Sequence, residues 1–583
     1  MGGRFGGIPR RIDGTLRKIG LESGHPGLFP YFLLFFVFFV LSRRILAACM
    51  RGGLEAWFGV STGSNHMAYF LGLDSSTQGL CALLIDAAGG KVVLEAAVNF
   101  GKDLPEYDCP QGFLAHPDPL VKHSDPLLWA AALDLLLGRL RDQGAPLAEV
   151  AGISGSGQQH GTVYLGAEFA TALEGAGSLV EAVRPCLTRL TSPIWMDSST
   201  SAECAEIEAA CGGAEAVRRR TGSSAIERFA GPQIRKFAKT EPEDYADTGI
   251  IHLVSSYLCS LLIGGSAPID FGDGAGMNLL DLASGQWDKQ LLEATAPGLG
   301  EKLPPPVPSH RVVGEVAPYF QAKYGLAKGT RVVAWSGDNP NSLIGVGGWR
   351  PGTAVISLGT SDTFFAAMPQ PVVDPDGYGH VFGNPAGGFM CLIAFKNGSL
   401  AREAVKEQFG LSWKAFDVDS FAATPAGNNG NLVLPYFVPE ITPLVLREGP
   451  RYRGDQDFLA GKSPAARVRA LVEAQAMSMR LHSQWIGEKP GTVRVTGGAA
   501  KSDGICQVLA DVFEATVERL ETGSSAALGA ALRAAHGVGG FAWADLAATF
   551  CACVPGKSIR PLPAHVAAYR ELLPRFAQFA REG

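Results

Sequence analysis

The chain has 583 residues, of which 46% are hydrophobic and 18% charged, and 73 are glycine. This length exceeds that of one ordinary domain, and the composition is typical of an α/β protein with many tight turns. The formal net charge is −6 without any basic block, so we expect no nucleic-acid partner. The eleven cysteines form no CxxC pair, which disfavours a structural zinc site and favours reduced thiols in a cytoplasmic protein.

The first 66 residues differ in composition from the rest of the chain. Several basic residues precede an almost wholly apolar run at residues 28–41, which is the order found in a signal peptide. The run is shorter than the roughly 20 residues that cross a bilayer, and it contains Pro30. Three interpretations stay open: an organelle-targeting segment, a membrane anchor within residues 1–50, or a start upstream of a functional chain that begins near Met67. We favour the third and expect no stable membrane association.

Two similar hairpins are predicted far apart in the chain. Each consists of two apolar strands that flank a short polar loop, at residues 68–86 and again at residues 353–368. Both loops offer hydroxyl groups, backbone N–H groups and a carboxylate. The loop residues of interest are Asp74 and Thr77 in the first hairpin and Gly359 and Thr360 in the second. The repeat predicts two related α/β domains that face each other, each contributing one phosphate-facing hairpin.

Helical and extended patterns alternate between and after the hairpins. Residues 126–141 predict a helix that leads into a strand, and residues 464–488 predict a second long helix followed by a strand at 492–495. This alternation favours a partly parallel sheet covered on both faces. A glycine-rich turn at 496–500 then leads into a helix that begins near Ser502. Such a turn can receive a nucleotide through its unobstructed N–H groups, although many glycine turns only end a strand.

Two aspartates lie where strands end. Asp338 follows the apolar residues 331–335, and α/β proteins bind ligands at the carboxyl ends of their strands. Phosphoryl transfer to a hydroxyl group needs a carboxylate that accepts the hydroxyl proton, and Asp338 suits that role. The Asp-Asn-Pro sequence also fits a helix cap, so the local pattern allows both interpretations. Asp74 could approach a metal–phosphate group or only hold its hairpin through Asx-type hydrogen bonds.

Polar side chains that could bind a sugar occur in three further segments. Residues 155–161 place His160 beside two glutamines in a glycine-flanked loop, which favours a ligand role over a structural one. Residues 195–197 add a tryptophan and a carboxylate, and Arg228 adds a guanidinium group. Together these segments indicate a pocket with several hydrogen-bonding groups.

These segments resemble, in the same order, those of the FGGY family of carbohydrate kinases, and most closely its members that act on D-xylulose. The matching segments are residues 72–78, 156–161, 195–200, 226–229, 273–278, 337–340, 357–362, 395–399 and 496–499. The resemblance covers roughly residue 69 to the C-terminus. It implies two actin-like (ribonuclease H-like) ATPase domains flanking a deep catalytic cleft. Residues 67–347 would bind the sugar and carry the base, residues 348–583 would bind the nucleotide, and residues 1–66 stay unassigned.

The resemblance also implies a role for each candidate residue. Asp338 would accept the proton from the O5 hydroxyl of D-xylulose as that oxygen attacks the γ-phosphorus of ATP, beside Asn339, and His160 and Arg228 would bind the sugar. The residues implied for ATP are Asp74, Thr77, Gly359, Thr360, Trp413, Gly498, Ala499 and Ser502. Asp74 would also lie near Mg²⁺. Ser502 departs from the family, where asparagine is expected, and its shorter side chain can still donate or accept a hydrogen bond.

Alternatives to this function stay open at the level of the sequence. A related kinase of the same family could act on ribulose, glycerol or another polyol, since its hairpins and base would look the same. A catalytically idle sugar sensor could use the same scaffold, although no expected catalytic residue is missing. The expected partners are therefore a small sugar and ATP with Mg²⁺, and a homodimer is an open option.

Overall fold

The computed structural model describes residues 69–520 and 523–582. The hypotheses about residues 1–66 fall outside this part of the chain. Over the described ranges, no helix has both the length and the apolar character needed to cross a membrane.

The first half of the described chain forms one mixed β-sheet. Its strands are β1 (Tyr69–Ser75), β2 (Gly79–Asp86), β3 (Lys91–Asn99), β4 (Val150–Gly157), β5 (Val312–Glu315), β6 (Arg331–Val333) and β7 (Ser336–Gly337). The order across the sheet is β5-β6-β4-β1-β2-β3, and β7 also pairs with β4. β1 is antiparallel to β2 but parallel to β4, which in turn is parallel to β6 and β7.

The second half repeats this arrangement in another sheet. Its strands are β8 (Thr353–Leu358), β9 (Asp362–Met368), β10 (His380–Gly383), β11 (Phe389–Phe395), β12 (Thr492–Thr496) and β13 (Thr516–Arg519). The order is β10-β11-β9-β8-β12-β13. β8 is antiparallel to β9 and parallel to β12, just as β1 is antiparallel to β2 and parallel to β4. The predicted repeat of two hairpins is therefore a repeat of two whole sheets.

Helices cover the faces of both sheets. Those that bear on the site are α1 (Pro126–Asp142), α2 (Asp338–Gly345), α3 (Ser399–Gln408), α4 (Pro464–His482), α5 (Asp503–Phe513) and α6 (Ser525–Gly539). The other α-helices of five or more residues in the described ranges are Leu179–Val183, Ser201–Ala210, Ala214–Thr221, Ala230–Thr240, Pro242–Asp247, Val254–Ile263, Lys289–Thr295, Pro318–Tyr324, Trp543–Phe550 and Pro563–Glu582. Short strand pairs form at Thr162–Leu165 with Ile250–Leu253 and at Leu432–Leu434 with Arg451–Arg453.

Local sequence explains where the two predicted long helices begin and end. The Asp125 carboxylate accepts a hydrogen bond from the N–H of Leu127 at 2.8 Å and Pro126 opens the first turn, so α1 begins where expected. The expectation that the second helix continues to residue 488 was wrong. α4 ends at His482, because a 3₁₀ turn follows and Gly487 then adopts the left-handed conformation with φ 78°.

Two helices cross between the sheets with their backbones in contact. α2 follows the last strand of the first sheet, and α6 follows the last strand of the second sheet. A Cβ atom on Gly345 would lie 1.9 Å from the carbonyl oxygen of Ser525, and one on Gly529 would lie 1.9 Å from that of Asn341. α6 also packs on the first sheet, where a Cβ on Gly72 would lie 2.0 Å from the carbonyl oxygen of Ala527. Only glycine permits these approaches.

The position of α6 bears on the predicted domain boundary at residue 347. That boundary falls in the connection between α2 and β8, where the chain passes from one sheet to the other. α6 belongs by sequence to the second half, yet it covers β1 and β4 of the first sheet. The division of the chain into residues 67–347 and 348–583 therefore stays a prediction.

A Gly529→Ala substitution tests the helix crossing. The added methyl group has no space against the Asn341 backbone, and overpacking of this kind destabilises by about 1–3 kcal/mol. We expect a lower midpoint of thermal unfolding, measured by circular dichroism. Gly138→Ala in α1 is the matched control, because its Cβ would meet nothing closer than 3.9 Å and alanine favours a helix. A Gly529→Ala midpoint equal to that of Gly138→Ala would contradict the crossing geometry.

Candidate active site

The parallel strands of the first sheet bring the candidate carboxylates together. Asp74 on β1 lies opposite Ser156 on β4, and Ser156 lies opposite Ser336 on β7. The Ser156 hydroxyl donates a hydrogen bond to the Asp74 carboxylate at 2.5 Å. Asp338 follows β7 directly as the first residue of α2. Asp74 and Asp338, taken from distant parts of the sequence, thus end at the same edge of the sheet.

Both carboxyl groups have an unusually high pKa. Burial raises the pKa of Asp74 to about 6, and burial together with the negative charge of Asp74 raises that of Asp338 to about 7. Neither forms an ion pair with a lysine or arginine in the described part of the chain. Carboxyl groups with strongly shifted pKa values are a common feature of catalytic sites.

The predicted sugar loop lies directly beside Asp338. The Asn339 amide donates hydrogen bonds to the Gln159 side-chain oxygen at 2.8 Å and to the Asp338 carboxylate at 3.0 Å. The Asn339 backbone N–H donates to the same carboxylate oxygen at 2.8 Å. This network fixes the orientation of the Asp338 carboxylate and joins it to residue 159 of the Gln-Gln-His loop.

His160 is held in one tautomer. Its backbone adopts a left-handed conformation with φ 73°, and Nδ1 lies 2.8 Å from the Gly276 carbonyl oxygen. Because a carbonyl group only accepts, Nδ1 carries the proton and Nε2 keeps its lone pair. Burial and the nearby Arg228 charge hold the pKa of His160 well below its ordinary value, so the ring is neutral. A neutral imidazole with a free acceptor suits a sugar hydroxyl.

Arg228 connects the two halves of the protein. Its Nη2 donates to Nε2 of His380 at 3.2 Å, and His380 is the first residue of β10 in the second sheet. The other N–H groups of Arg228 have no hydrogen-bond partner in the described residues, so they are available to a ligand. Burial and the Arg228 charge lower the pKa of His380 to about 3, which keeps this ring neutral and able to accept.

Sequence reasoning missed two residues of this neighbourhood. His380 belongs to no recognised segment, and nothing in the local pattern relates it to Arg228, 152 residues away. Asp273 lies in one of the matching segments but was not singled out. Its carboxylate is buried, accepts a hydrogen bond from the Ser255 hydroxyl at 2.5 Å and has a pKa raised well above the ordinary value by that burial. A strand-end search could not find it, because Asp273 lies in a short helix.

The two hairpins differ chemically despite their similar sequences. The Asp362 carboxylate accepts two hydrogen bonds from Arg402 of α3, at 2.8 and 2.9 Å, and both residues are only 1% exposed. The charge of Asp362 is therefore paired with that of Arg402 inside the second half. Asp74, in contrast, has no cationic partner among the described residues. Gly359 also accepts a hydrogen bond from the Ser399 N–H at 2.9 Å, and Thr360 is exposed. The second loop thus offers hydroxyl and N–H groups but no free carboxylate.

The glycine turn after β12 lies beside the second hairpin. Gly497 has φ 91°, and a Cβ there would lie 2.4 Å from the Leu358 carbonyl oxygen, so only glycine brings the turn this close. Gly498 and Ala499 begin the next 3₁₀ turn, and no atom lies within 4 Å of a Cβ placed on Gly498. The backbone of this turn is therefore open to a ligand.

Ser502 and Trp413 border the same region. The Ser502 hydroxyl caps α5 by accepting from the Ile505 N–H at 3.3 Å. Burial raises the pKa of Asp417, and a hydrogen bond from Ser502 opposes that rise, so residues 413–417 lie near the turn. Trp413 is 47% exposed, with the Lys406 ammonium 5.3 Å from its ring centre. The structure gives Ser502 a capping function and leaves the Trp413 ring accessible.

Thr77 contacts a residue of the third sugar-side segment. Its hydroxyl accepts a hydrogen bond from the Trp195 indole N–H at 2.8 Å. Asp197 accepts from the Lys122 N–H, the Ser199 hydroxyl and the Gln233 amide, which fixes the loop that carries Trp195. The first hairpin loop is thereby joined to the sugar side of the molecule.

An Arg402→Met substitution tests the pairing in the second hairpin. It leaves the Asp362 carboxylate buried without its partner, which typically costs about 3–5 kcal/mol. We expect a clear fall in the thermal unfolding midpoint, and partial recovery when Asp362→Leu is added. Lys462→Met is the control, because its ion pair with Asp457 is exposed on both sides. Equal melting of the Arg402→Met and Lys462→Met variants would show that the pair is not important.

Comparison with known proteins identifies the class to which this fold and site belong. Sequence models of the FGGY family of carbohydrate kinases match residues 69–345 with the N-terminal domain and residues 354–538 with the C-terminal domain. The chain belongs to this family. The expected fold of two actin-like (ribonuclease H-like) domains is confirmed, and its internal repeat is that of the two sheets.

Several individual proteins that this chain resembles are xylulose kinases. The chain is 42% identical to the xylulose kinase of Mus musculus over 517 residues, 87% of this chain and 93% of the relative. It is 40% identical to xylulose kinase 2 of Arabidopsis thaliana over 490 residues, 80% of this chain and 87% of the relative. A solved xylulose kinase from Rhodospirillum rubrum is 24% identical, with a TM-score of 0.74 over 88% of this chain and 98% of that one.

Proposed function

We propose that this chain transfers the γ-phosphate of ATP to the O5 hydroxyl of D-xylulose, giving D-xylulose 5-phosphate and ADP. The observation that carries the proposal is the position of Asp338, a carboxylate of raised pKa at the edge where β1, β4 and β7 end. The choice of sugar rests on the similarity to xylulose kinases over most of the chain.

In this mechanism Asp338 is the general base. Its ionised carboxylate accepts the proton of the attacking hydroxyl, and a base with a pKa near 7 is well matched to that transfer at neutral pH. Asn339 and Gln159 hold the carboxylate in place. His160 Nε2 accepts a hydrogen bond from a sugar hydroxyl, and the free N–H groups of Arg228 donate to sugar oxygens. These contacts orient the sugar before transfer.

The nucleotide is proposed to bind between the two hairpins. Backbone N–H groups around Gly359, Thr360 and Thr77 receive phosphate oxygens, as loops of this kind do. The open turn at Gly498 and Ala499 and the exposed Trp413 ring receive the nucleoside. Ser502 can contribute only what its capping hydrogen bond leaves free.

The site residues also fit Mg²⁺, which would neutralise charge on the transferring phosphate group. No group of three or more metal-binding side chains occurs in the described residues. Mg²⁺ usually takes one or two carboxylates and completes its shell with phosphate oxygens and water. Asp74, which is partly buried and has no cationic partner within the described chain, is the residue that would hold it.

The remaining expectations accompany this proposal. Residues 67–347 would carry the sugar site and the base, and residues 348–583 the nucleotide site. A cytoplasmic location stays a prediction. Dimerisation stays a prediction.

A substrate panel tests the choice of sugar. The purified full chain is assayed with MgATP and D-xylulose, L-xylulose, ribulose, glycerol or xylitol, and ADP release is measured. We expect the highest kcat/KM with D-xylulose. Turnover of ribulose or glycerol with none of D-xylulose would instead assign a related kinase. Sugar binding without turnover of any member would favour a sensor.

Asp338→Asn tests the base and has a second, opposite consequence for stability. We expect kcat to fall by roughly 10²–10⁴-fold while D-xylulose binding, measured by calorimetry, is retained. A carboxyl group whose pKa rises from 3.8 to about 7 on folding destabilises the fold as pH increases through that interval. Asp338→Asn should therefore raise the thermal midpoint more at pH 8 than at pH 5.

The exposed Asp457→Asn is the control and should change neither kcat nor the midpoint. A near-normal kcat in Asp338→Asn would remove the base assignment.

A further inference from the structure

One fully buried cation has no place in the mechanism described so far. Arg533 lies on α6, and its side chain is 1% exposed. Its only ion-pair partner among the described residues is Asp270, with Nη2 and the carboxylate oxygen 3.8 Å apart. A buried ion pair of this kind contributes little net stability compared with packed apolar side chains. The hydrogen bonds that Arg533 donates explain better than this ion pair why an arginine occupies the position.

The Arg533 guanidinium binds the backbone of the first sheet. Nη2 donates to the carbonyl oxygens of Ser309 at 2.6 Å and Ala334 at 2.5 Å. Nη1 donates to the Asn341 side-chain oxygen at 3.1 Å and lies 3.4 Å from the carbonyl oxygen of Gly155. One planar group thus reaches β4, the chain just before β7, and α2. An arginine can span this set because its donors have a fixed fork geometry.

Asn341 extends these contacts to the residues next to the catalytic carboxylates. Its side chain is fully buried, and its amide donates to the carbonyl oxygens of Gly337 at 3.0 Å and Gly155 at 3.3 Å. Gly337 directly precedes Asp338. Gly155 directly precedes Ser156, which donates to Asp74. The residues that precede Asp338 and Ser156 are therefore bound by the same pair, Arg533 and Asn341.

We propose that Arg533 is a positioning residue, which acts with Asn341 to fix the backbone that carries Asp338 and Ser156. It contacts neither sugar nor nucleotide. Because α6 follows the second sheet in the chain, the pair also ties the end of that half to the base. A displacement of about 1 Å at a base can cost on the order of 10²-fold in rate, so the support matters for kcat more than for substrate binding.

The proposal rests on the proposed role of Asp338, and two substitutions test it. Arg533→Lys keeps the charge but loses the fork, and Asn341→Ala removes the link to Gly337. We expect each to lower kcat by about 10–100-fold while KM for D-xylulose changes by less than about 3-fold. Since the two residues act as one unit, kcat of the double variant should be no lower than kcat of the more impaired single variant.

Arg467→Lys is the matched control. Arg467 is also buried, on α4, and donates to two backbone carbonyl oxygens, those of Phe458 and Leu459. It should lower the thermal midpoint without lowering kcat. An unchanged kcat in Asn341→Ala, independent losses in the double variant, or an equal kcat loss in Arg467→Lys would each overturn the proposal.

Two of these variants keep the test decisive if another variant fails. If Arg533→Lys does not fold, Asn341→Ala still decides the outcome, because it breaks the link to Gly337 while leaving the arginine in place. Asp338→Asn is measured in parallel. Normal turnover in Asp338→Asn removes the proposed function itself, whereas its loss together with unaffected Asn341→Ala turnover removes only the positioning role.

Discussion

The parallel pairing of β1, β4 and β7 is the constraint on which the site depends. Its register places Asp74 opposite Ser156 and Ser156 opposite Ser336, so the backbone leads directly to Asp338. A shift of one residue in any of these strands would turn its side chains to the other face of the sheet. The same pairing places both carboxyl groups away from solvent, where burial raises the pKa of Asp74, and burial together with the charge of Asp74 raises that of Asp338. The register of these strands therefore sets the positions of Asp74 and Asp338, and through their positions it sets their pKa values.

The two sheets share their strand arrangement, but the aspartates of their hairpins have different surroundings. Both halves carry a hairpin with an aspartate, which is Asp74 near the end of the first strand in one half and Asp362 at the start of the second strand in the other. In the second half Arg402 neutralises Asp362 inside the protein, and the hairpin keeps only hydroxyl and N–H groups for a ligand. In the first half Asp74 has no cationic partner among the described residues. One hairpin is therefore suited to receiving phosphate oxygens, and the other also to approaching a cation.

The two halves meet through close backbone contacts rather than through a large apolar surface alone. Glycines 345 and 529 let the backbones of α2 and α6 come into direct contact at their crossing. That approach is close enough for Arg533 of α6 to donate hydrogen bonds to the carbonyl oxygens of Ser309 and Ala334 and to the side chain of Asn341 in α2. Arg228 and His380 form a second connection on the sugar side.

The family followed from a resemblance over nine segments of the sequence. The sequence by itself also determined the hairpins, the strand-end position of Asp338 and Asp74, and the helix from residue 126. These features depend on neighbours within a few residues, where periodicity, caps and turn residues act. Only the tertiary structure decided that Asp74 has no cationic partner among the described residues while Asp362 pairs with Arg402. It also decided that Arg228 donates a hydrogen bond to His380, and that Arg533 binds Asn341 and the carbonyl oxygen of Ala334. Each of these depends on contacts between residues tens to hundreds of positions apart. Strand order and helix crossing create such contacts, and no local pattern records them.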